Sequence, residues 1–177
     1  AEGCVSSNKL TIAVNKQRVK DALVRVLPKL NFEYTILSND VTLNIIKNPQ
    51  LRKYMEPLSV GAIHKQLEDW VWELSEEQSR ILLESMCLGD GHSNKNTPMY
   101  DTSSEKLKDD VMRLALHCGW SANAYVKQPC GVQKEIQNRN TVTHADAWRI
   151  TIIKTQNEPV VNKHIKNQQR SINYSGK

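Results

Sequence analysis

One amphipathic pattern occurs twice along the chain, with the spacing of a helix that buries one face. Apolar residues at positions i, i+4, i+7, i+8 and i+11 predict such a helix. The first copy comprises Val19, Leu23, Val26, Leu27 and Leu30, and the second comprises Leu107, Val111, Leu114, Ala115 and Cys118. The copies lie 88 positions apart. The sequence therefore predicts two similar halves.

Strict alternation of apolar and polar residues predicts strands beside each helix. In the first half the apolar positions are Leu10, Ile12 and Val14, then Val41, Leu43 and Ile45. In the second half they are Ala122, Ala124 and Val126, then Trp148, Ile150 and Ile152. Each half is predicted to run as an acidic turn, a strand, the helix and two further strands.

The second half is predicted to carry an insertion. The segment from Asp40 to Lys47 resembles the segment from Asp146 to Lys154, but Lys47 and Lys154 lie 107 positions apart instead of 88. The difference indicates 19 extra residues. The polar, turn-rich stretch from Gln128 to Asp146 is their predicted location.

A capping box marks the start of another helix. Ser75 followed by Gln78 has the spacing of an N-cap and its N3 partner, which predicts a helix that runs to about Gly89. The predicted organisation is a first half over 1–58, a linker over 59–74, a second half over 75–156 and a polar tail over 157–177.

Composition indicates a folded protein with a mild basic excess. The 177 residues are 39% hydrophobic, and 24 Lys and Arg against 19 Asp and Glu leave a net charge of +5, which permits a polyanionic partner. The four Cys form no CxxC pair, which predicts reduced thiols in an intracellular protein, with nucleus and cytoplasm both open. The chain has no run of about 18 apolar residues, so no membrane association is predicted.

Two acidic turns share the spacing of the repeat. Glu2-Gly3 and Asp90-Gly91 lie 88 positions apart. A single acid followed by Gly is more typical of a simple turn, but duplication at the repeat spacing favours a functional pair. Two carboxylates that converge on a pseudo-twofold axis suit Mg²⁺, which can promote phosphodiester hydrolysis. For Cys87, His92, His117 and Cys118, buried packing is favoured over a zinc site.

These residues resemble a known family. Leu83 to Gly91, followed by Tyr100 to Asp110 and Leu114 to Trp120, resembles the second motif and following helix of the LAGLIDADG homing endonucleases, particularly the intein-encoded kind. Ala1-Glu2-Gly3 resembles the end of the first motif. The resemblance implies an α+β fold of two pseudo-symmetric αββαββ-like halves, whose antiparallel sheets bind the DNA major groove. It also implies that Glu2 and Asp90 are the catalytic, metal-binding acids.

The resemblance implies a basic residue near each active site. Lys47 and Lys154 are the candidates, although a lysine at a strand end is equally typical of a solvated surface. The alternation of the strands predicts which side chains face DNA: Lys9, Thr11, Tyr125, Lys127, Arg149 and Thr151.

The predicted function is site-specific, Mg²⁺-dependent cleavage of double-stranded DNA. Two alternatives stay open, a non-cleaving nucleic-acid-binding module and a structural insert of a splicing domain. The body of the first motif helix is not in the sequence, so the chain is expected to be a fragment. Its expected partners are double-stranded DNA and a splicing domain or complementary fragment that supplies the missing helix.

Overall fold

A computed structural model describes residues 3–6, 9–14, 16–30, 33–37, 40–44, 48–94, 97–136 and 139–155. The fold is α+β, as predicted. In the described ranges it comprises two antiparallel four-stranded sheets, a two-stranded hairpin and four α-helices.

The first half forms one sheet with a helix packed on it. Its elements are β1 (Gly3–Ser6), β2 (Lys9–Ala13), α1 (Gln17–Val26), β3 (Tyr34–Ile36), β4 (Asp40–Asn44) and α2 (Pro49–Met55). The strands lie in the order β1-β2-β4-β3, and neighbouring strands are antiparallel.

The second half repeats this arrangement. Its elements are α3 (Glu76–Gly89), β5 (Gly91–Asn94), β6 (Thr97–Thr102), α4 (Glu105–His117), β7 (Ser121–Gln128), β8 (Gln133–Ile136), β9 (Arg139–Val142) and β10 (Ala147–Ile153). The sheet order is β5-β6-β10-β7. As in the first half, the first strand of the sheet lies beside the second, the second beside the fourth, and the fourth beside the third. The strands β8 and β9 pair separately, so α3 to β10 is an αββαββ unit with an inserted hairpin.

Local signals explain where the helices of the second half begin. The predicted capping box is confirmed, because Ser75 accepts from the Gln78 amide and the Gln78 side chain accepts from the Ser75 amide. Ser104 caps α4 by accepting from the Leu107 amide at 3.1 Å. Each cap satisfies backbone donors that the first turn of a helix leaves unpaired.

Each half has its own hydrophobic core. All five residues of the predicted face of α4 are buried, and they pack with Leu83, Tyr100, Ile150 and Ile152. The first core is smaller and contains Leu10, Val14, Val19, Leu27, Val41 and Leu43. The prediction was wrong for Val26 and Leu30, which are exposed. The helix α1 ends at Val26 and continues as a 3₁₀ turn that contains Pro28, and this change of period rotates Leu30 out of the buried face.

The predicted order of a single strand before each helix was also wrong. Two strands precede each helix, because β1 and β5 pair with β2 and β6. Both are four-residue edge strands, and an edge strand held by backbone pairing needs no apolar alternation.

Strand register corrects the size of the insertion. Val41 pairs with Ile12, whereas Ile150 pairs with Tyr100, the residue 88 positions after Ile12. Val41 and Ile150 are therefore equivalent at a spacing of 109, so the insertion has 21 residues instead of 19. The hairpin of β8 and β9 lies within the stretch predicted for it. By this register Lys47 and Lys154 are not equivalent positions.

The segment between the halves is attached to the second core. The Leu67 amide donates to Oδ2 of the buried Asp110 at 2.9 Å, and Ser104 donates to the Lys65 carbonyl at 2.6 Å. The Trp72 ring lies 3.9 Å from the Arg113 guanidinium carbon, measured to the ring centre. Within the described ranges, none of the helices combines the length and the apolar character that crossing a lipid bilayer requires.

Candidate nucleic-acid interface and acidic turn

Asp90 lies at the junction of α3 and β5. It is the C-cap residue of α3, and its amide donates to the Met86 carbonyl at 3.2 Å. The Tyr100 hydroxyl lies 3.5 Å from Asp90 Oδ2. Burial, with Asp90 nearby, raises the pKa of Tyr100, so this phenol stays protonated at neutral pH. Asp90 thus has one neutral donor beside it.

Asp90 lines a cavity of about 380 Å³ that is also lined by acidic and basic side chains. Its lining includes Tyr100, Asp101, Lys65 and Lys127. The cavity thus combines two carboxylates, from Asp90 and Asp101, with two lysine side chains.

Gly91 makes the tight junction possible. A Cβ atom at Gly91 would lie 2.3 Å from the Cys87 carbonyl oxygen and 2.6 Å from the Met99 carbonyl oxygen. No side chain fits there, because both obstacles are backbone atoms. The residue that follows Asp90 at this junction therefore has to be glycine.

Two cations from the first half bind the end of α3. Lys16 Nζ donates to the Gly89 carbonyl at 2.5 Å, and Arg18 donates to the carbonyls of Leu88 at 3.0 Å and Gly91 at 2.5 Å. The carbonyls of Leu88 and Gly89 carry the partial negative charge of the α3 C-terminus, which cations stabilise. The first half thereby fixes the backbone on both sides of Asp90.

The structure shows one carboxylate at this acidic turn, that of Asp90. Mg²⁺ uses one or two carboxylates and completes its shell with water and phosphate oxygens. Within the described part of the chain no three His, Cys, Asp or Glu side chains cluster as an all-protein metal site. Glu2 and Lys47, the other predicted acid and one predicted base, lie outside the described residues. Cys118 is buried in the second core, and burial raises the pKa of Cys87 and Cys118 to about 11, so both are neutral thiols.

The structure places Lys154 in a different cavity from Asp90. Its Nζ pairs with Glu84 Oε1 at 2.6 Å and lies 4.4 Å from the centre of the Trp120 ring. That cavity, of about 320 Å³, also contains Arg18 and His92. Asp90 and Lys154 thus line different cavities, and Lys65 and Lys127 share the cavity of Asp90.

The outer face of the second sheet carries an ion-pair network. Asp101 accepts from Arg149 Nε and Nη2, both at 2.8 Å, and from Lys127 Nζ at 2.7 Å. Partial burial disfavours the charged form of Asp101, but its bonds to Arg149 and Lys127 outweigh that effect and lower its pKa to about 2. The bond to Asp101 also raises the pKa of Arg149.

The other predicted contact residues occupy the polar faces of the two sheets. Tyr125 pairs with Arg149 across the ladder and is 52% exposed, and Thr151 pairs with Asn123. In the first sheet Lys9 is exposed and Thr11 is half-buried opposite Thr42. The predicted alternation of faces is confirmed, since Ile150 and Ile152 are buried under α4. Val126 departs from it, at 37% exposure.

Sequence analysis missed Asp101, Lys16, Arg18 and Lys65. In β6 the apolar Met99 lies on the same face as Asp101 and obscures the alternation. The repeat could have identified Lys16, because it lies 88 positions before Ser104, the N-cap residue of α4. Lys65 lies in the irregular linker, where periodicity carries no information.

Comparison with known proteins finds relatives whose names refer to different functions. No protein-family model matches the chain. The chain is 32% identical over 195 aligned residues to a DNA-directed RNA polymerase subunit beta C-terminal section from Stigeoclonium helveticum, covering 93% of the chain and 18% of that protein. It is 37% identical over 147 residues to an ATP-dependent Clp protease proteolytic subunit from Chlamydomonas moewusii, covering 81% of the chain and 14% of that protein. The chain thus spans less than a fifth of the length of these relatives.

Proposed function

We propose that the chain is a site-specific DNA endonuclease region that uses Mg²⁺ to hydrolyse both strands of its target, similar to the intein-encoded LAGLIDADG enzymes. One observation carries the proposal. Asp90 lies at the entrance to β5, the first strand of the second half, and Glu2 precedes β1, the equivalent strand of the first half. A twofold repeat with one acid in each half suits a duplex whose two strands are also related by a twofold axis.

The relatives support a self-contained activity. One is named as a polymerase subunit and the other as a protease subunit, and these names share no function. A segment similar in both, and small in each, is not what makes one a polymerase and the other a protease. Such a segment suits an inserted element that has its own activity. The proposed partner of this segment is a splicing domain of the same parent protein.

Different residues of the chain have different roles in the proposed reaction. Asp90 and Glu2 would hold Mg²⁺, which supplies an activated water and Lewis-acid stabilisation of the leaving oxygen. Lys65 places positive charge in the cavity of Asp90, where a scissile phosphate would enter. Arg149, Lys127 and Tyr125 line the outer face of the second sheet, a surface suited to base edges in the major groove.

The test starts from DNA selected by the protein itself. The full 177-residue chain is used to select tight-binding duplexes from a random pool, and these are incubated with Mg²⁺ or with EDTA. We expect cleavage of both strands in Mg²⁺ only. Asp90→Asn should abolish cleavage of at least one strand and leave DNA affinity nearly intact. Asp109→Asn, at an exposed position on α4, is the control for loss of one acid.

Other outcomes favour other functions. Selection of specific DNA without cleavage would favour a non-cleaving binding module. A failure to retain any DNA would contradict both DNA-based functions and leave the structural insert.

A further inference from the structure

We infer that Asp101 determines DNA specificity by holding Arg149 and Lys127 against the sheet, so that they are available to base edges and withheld from phosphates of any sequence. The inference rests on the proposed function. Asp101 acts through two other residues and is therefore a positioning residue.

The geometry of the pair immobilises the guanidinium. Asp101 in β6 pairs directly with Arg149 in β10, and its two oxygens accept from Nε and Nη2 at equal distances of 2.8 Å. Two parallel bonds fix both the position and the plane of the guanidinium. Arg149 also forms a hydrogen bond with the Tyr125 side chain, and a guanidinium held in a fixed plane suits the two acceptors on the major-groove edge of guanine.

Partial burial makes the pair costly to break. The side chains of Arg149 and Asp101 are 19% and 27% exposed. A phosphate that drew Arg149 away would leave the Asp101 carboxylate half-buried and beside a second negative charge. A base edge carries no net charge, so it meets Arg149 without this penalty. Asp101 therefore discriminates between the two kinds of contact.

Lys127 is held by the same carboxylate. Its Nζ lies 2.7 Å from Asp101 Oδ2, and its side chain is 44% exposed. Two cations and one anion give this cluster a net charge of only +1. Phosphate contacts supply most sequence-independent affinity, so an acid at the centre of the cluster lowers affinity for random DNA more than affinity for the target.

The first half has a different arrangement at the equivalent ladder position. There Ala13 pairs with Asp40, in place of Asp101 and Arg149. At these described positions the arginine fork belongs to the second half, so its effect is expected on one half of the target.

The experiment compares Asp101→Asn with Asp109→Asn. Both remove one negative charge, but Asp109 lies on α4, which packs on the opposite face of the second sheet. Affinity for random duplex DNA and for the selected target is measured over a range of salt concentrations. We expect Asp101→Asn to bind random DNA several-fold more tightly than Asp109→Asn, with a slope against log salt steeper by about 1 to 2. The ratio of target to random affinity should fall about tenfold.

Two further variants test whether Asp101 acts through Arg149. The excess affinity of Asp101→Asn for random DNA should largely disappear in the double variant with Arg149→Gln, because the freed guanidinium is then absent. Arg149→Lys keeps the charge and loses the fork, so it should lower the target-to-random ratio about fivefold or more without changing net charge. It also provides the test if Asp101→Asn does not fold.

Equal random-DNA affinity and equal salt slope for Asp101→Asn and Asp109→Asn would overturn the inference while leaving the proposed function standing. If the wild-type chain binds no duplex at low salt, the proposed function fails and the inference fails with it.

Discussion

The Arg18 guanidinium in the first half donates a hydrogen bond to the carbonyl of Gly91 in the second half, with Nη2 2.5 Å from the oxygen. Gly91 follows Asp90, and Lys16 donates to the carbonyl of Gly89, which precedes it. The two halves therefore meet at the backbone of the proposed active-site acid. A movement of α1 relative to α3 would therefore shift the backbone at Asp90.

Arg18→Gln is expected to slow cleavage at least tenfold with less than a threefold loss of DNA affinity. The variant removes bonds that hold the backbone beside Asp90, and small misplacement of a catalytic group is costly. Single-turnover cleavage and equilibrium binding on the selected DNA measure the two effects. Arg25→Gln removes the same charge from an exposed position of α1 and should leave both unchanged. Equal cleavage rates in the two variants would contradict the role given to Arg18.

Gly91→Ala is expected to lower the free energy of unfolding by about 1–3 kcal/mol or more, because its Cβ meets two backbone carbonyls. Gly89→Ala is the matched control. Nothing lies within 4 Å of a Cβ built at Gly89, so it should be neutral or stabilise by up to about 1 kcal/mol. Urea denaturation monitored by tryptophan fluorescence measures both values. A Gly91→Ala protein as stable as wild type would refute the tight junction.

Asp110→Ala is expected to destabilise the chain by about 1–3 kcal/mol, because it leaves the half-buried Leu67 amide without its acceptor. Asp110 is 2% exposed and also accepts from Lys106 at 2.6 Å. Its neighbour Asp109, 61% exposed, is the control, and Asp109→Ala should change stability by less than about 0.5 kcal/mol. Limited proteolysis of the linker should accelerate only in the Asp110 variant. If cleavage in the linker is unchanged, Asp110 does not attach it to the core.

The stability difference between wild type and Asp101→Asn should depend on pH. The pKa of Asp101 is about 2 in the folded chain against an ordinary 3.8, so ionised Asp101 stabilises the folded state. That contribution, about 2 kcal/mol, is complete above about pH 5 and is lost as pH falls from about 4 toward 2. Urea denaturation at pH 7, 5, 4 and 3 measures the difference. A difference that stays constant down to pH 3 would contradict the strength assigned to the ion pairs.

The repeat, the helix α4 with its buried face, the start of α3 and the faces of the strands could all be predicted from the sequence. Each depends on interactions within a few residues or on a simple choice between core and solvent. The capping box at Ser75 spans three residues, and the alternation around Ile150 and Ile152 needs only one buried face.

Which residues contact one another depends on how the strands and the two halves pack. Alternation states which face is buried but not which strand position lies opposite, so pairing alone established the spacing of 109 between Val41 and Ile150 and placed Asp101 against Arg149. The edge strands β1 and β5 depend on backbone pairing with β2 and β6, which has no side-chain signature. The contacts of Lys16 and Arg18 with α3 join residues about 70 positions apart, and long flexible cations carry no periodic signal of their partners. Such contacts follow from the packing of the two halves, which no local pattern specifies.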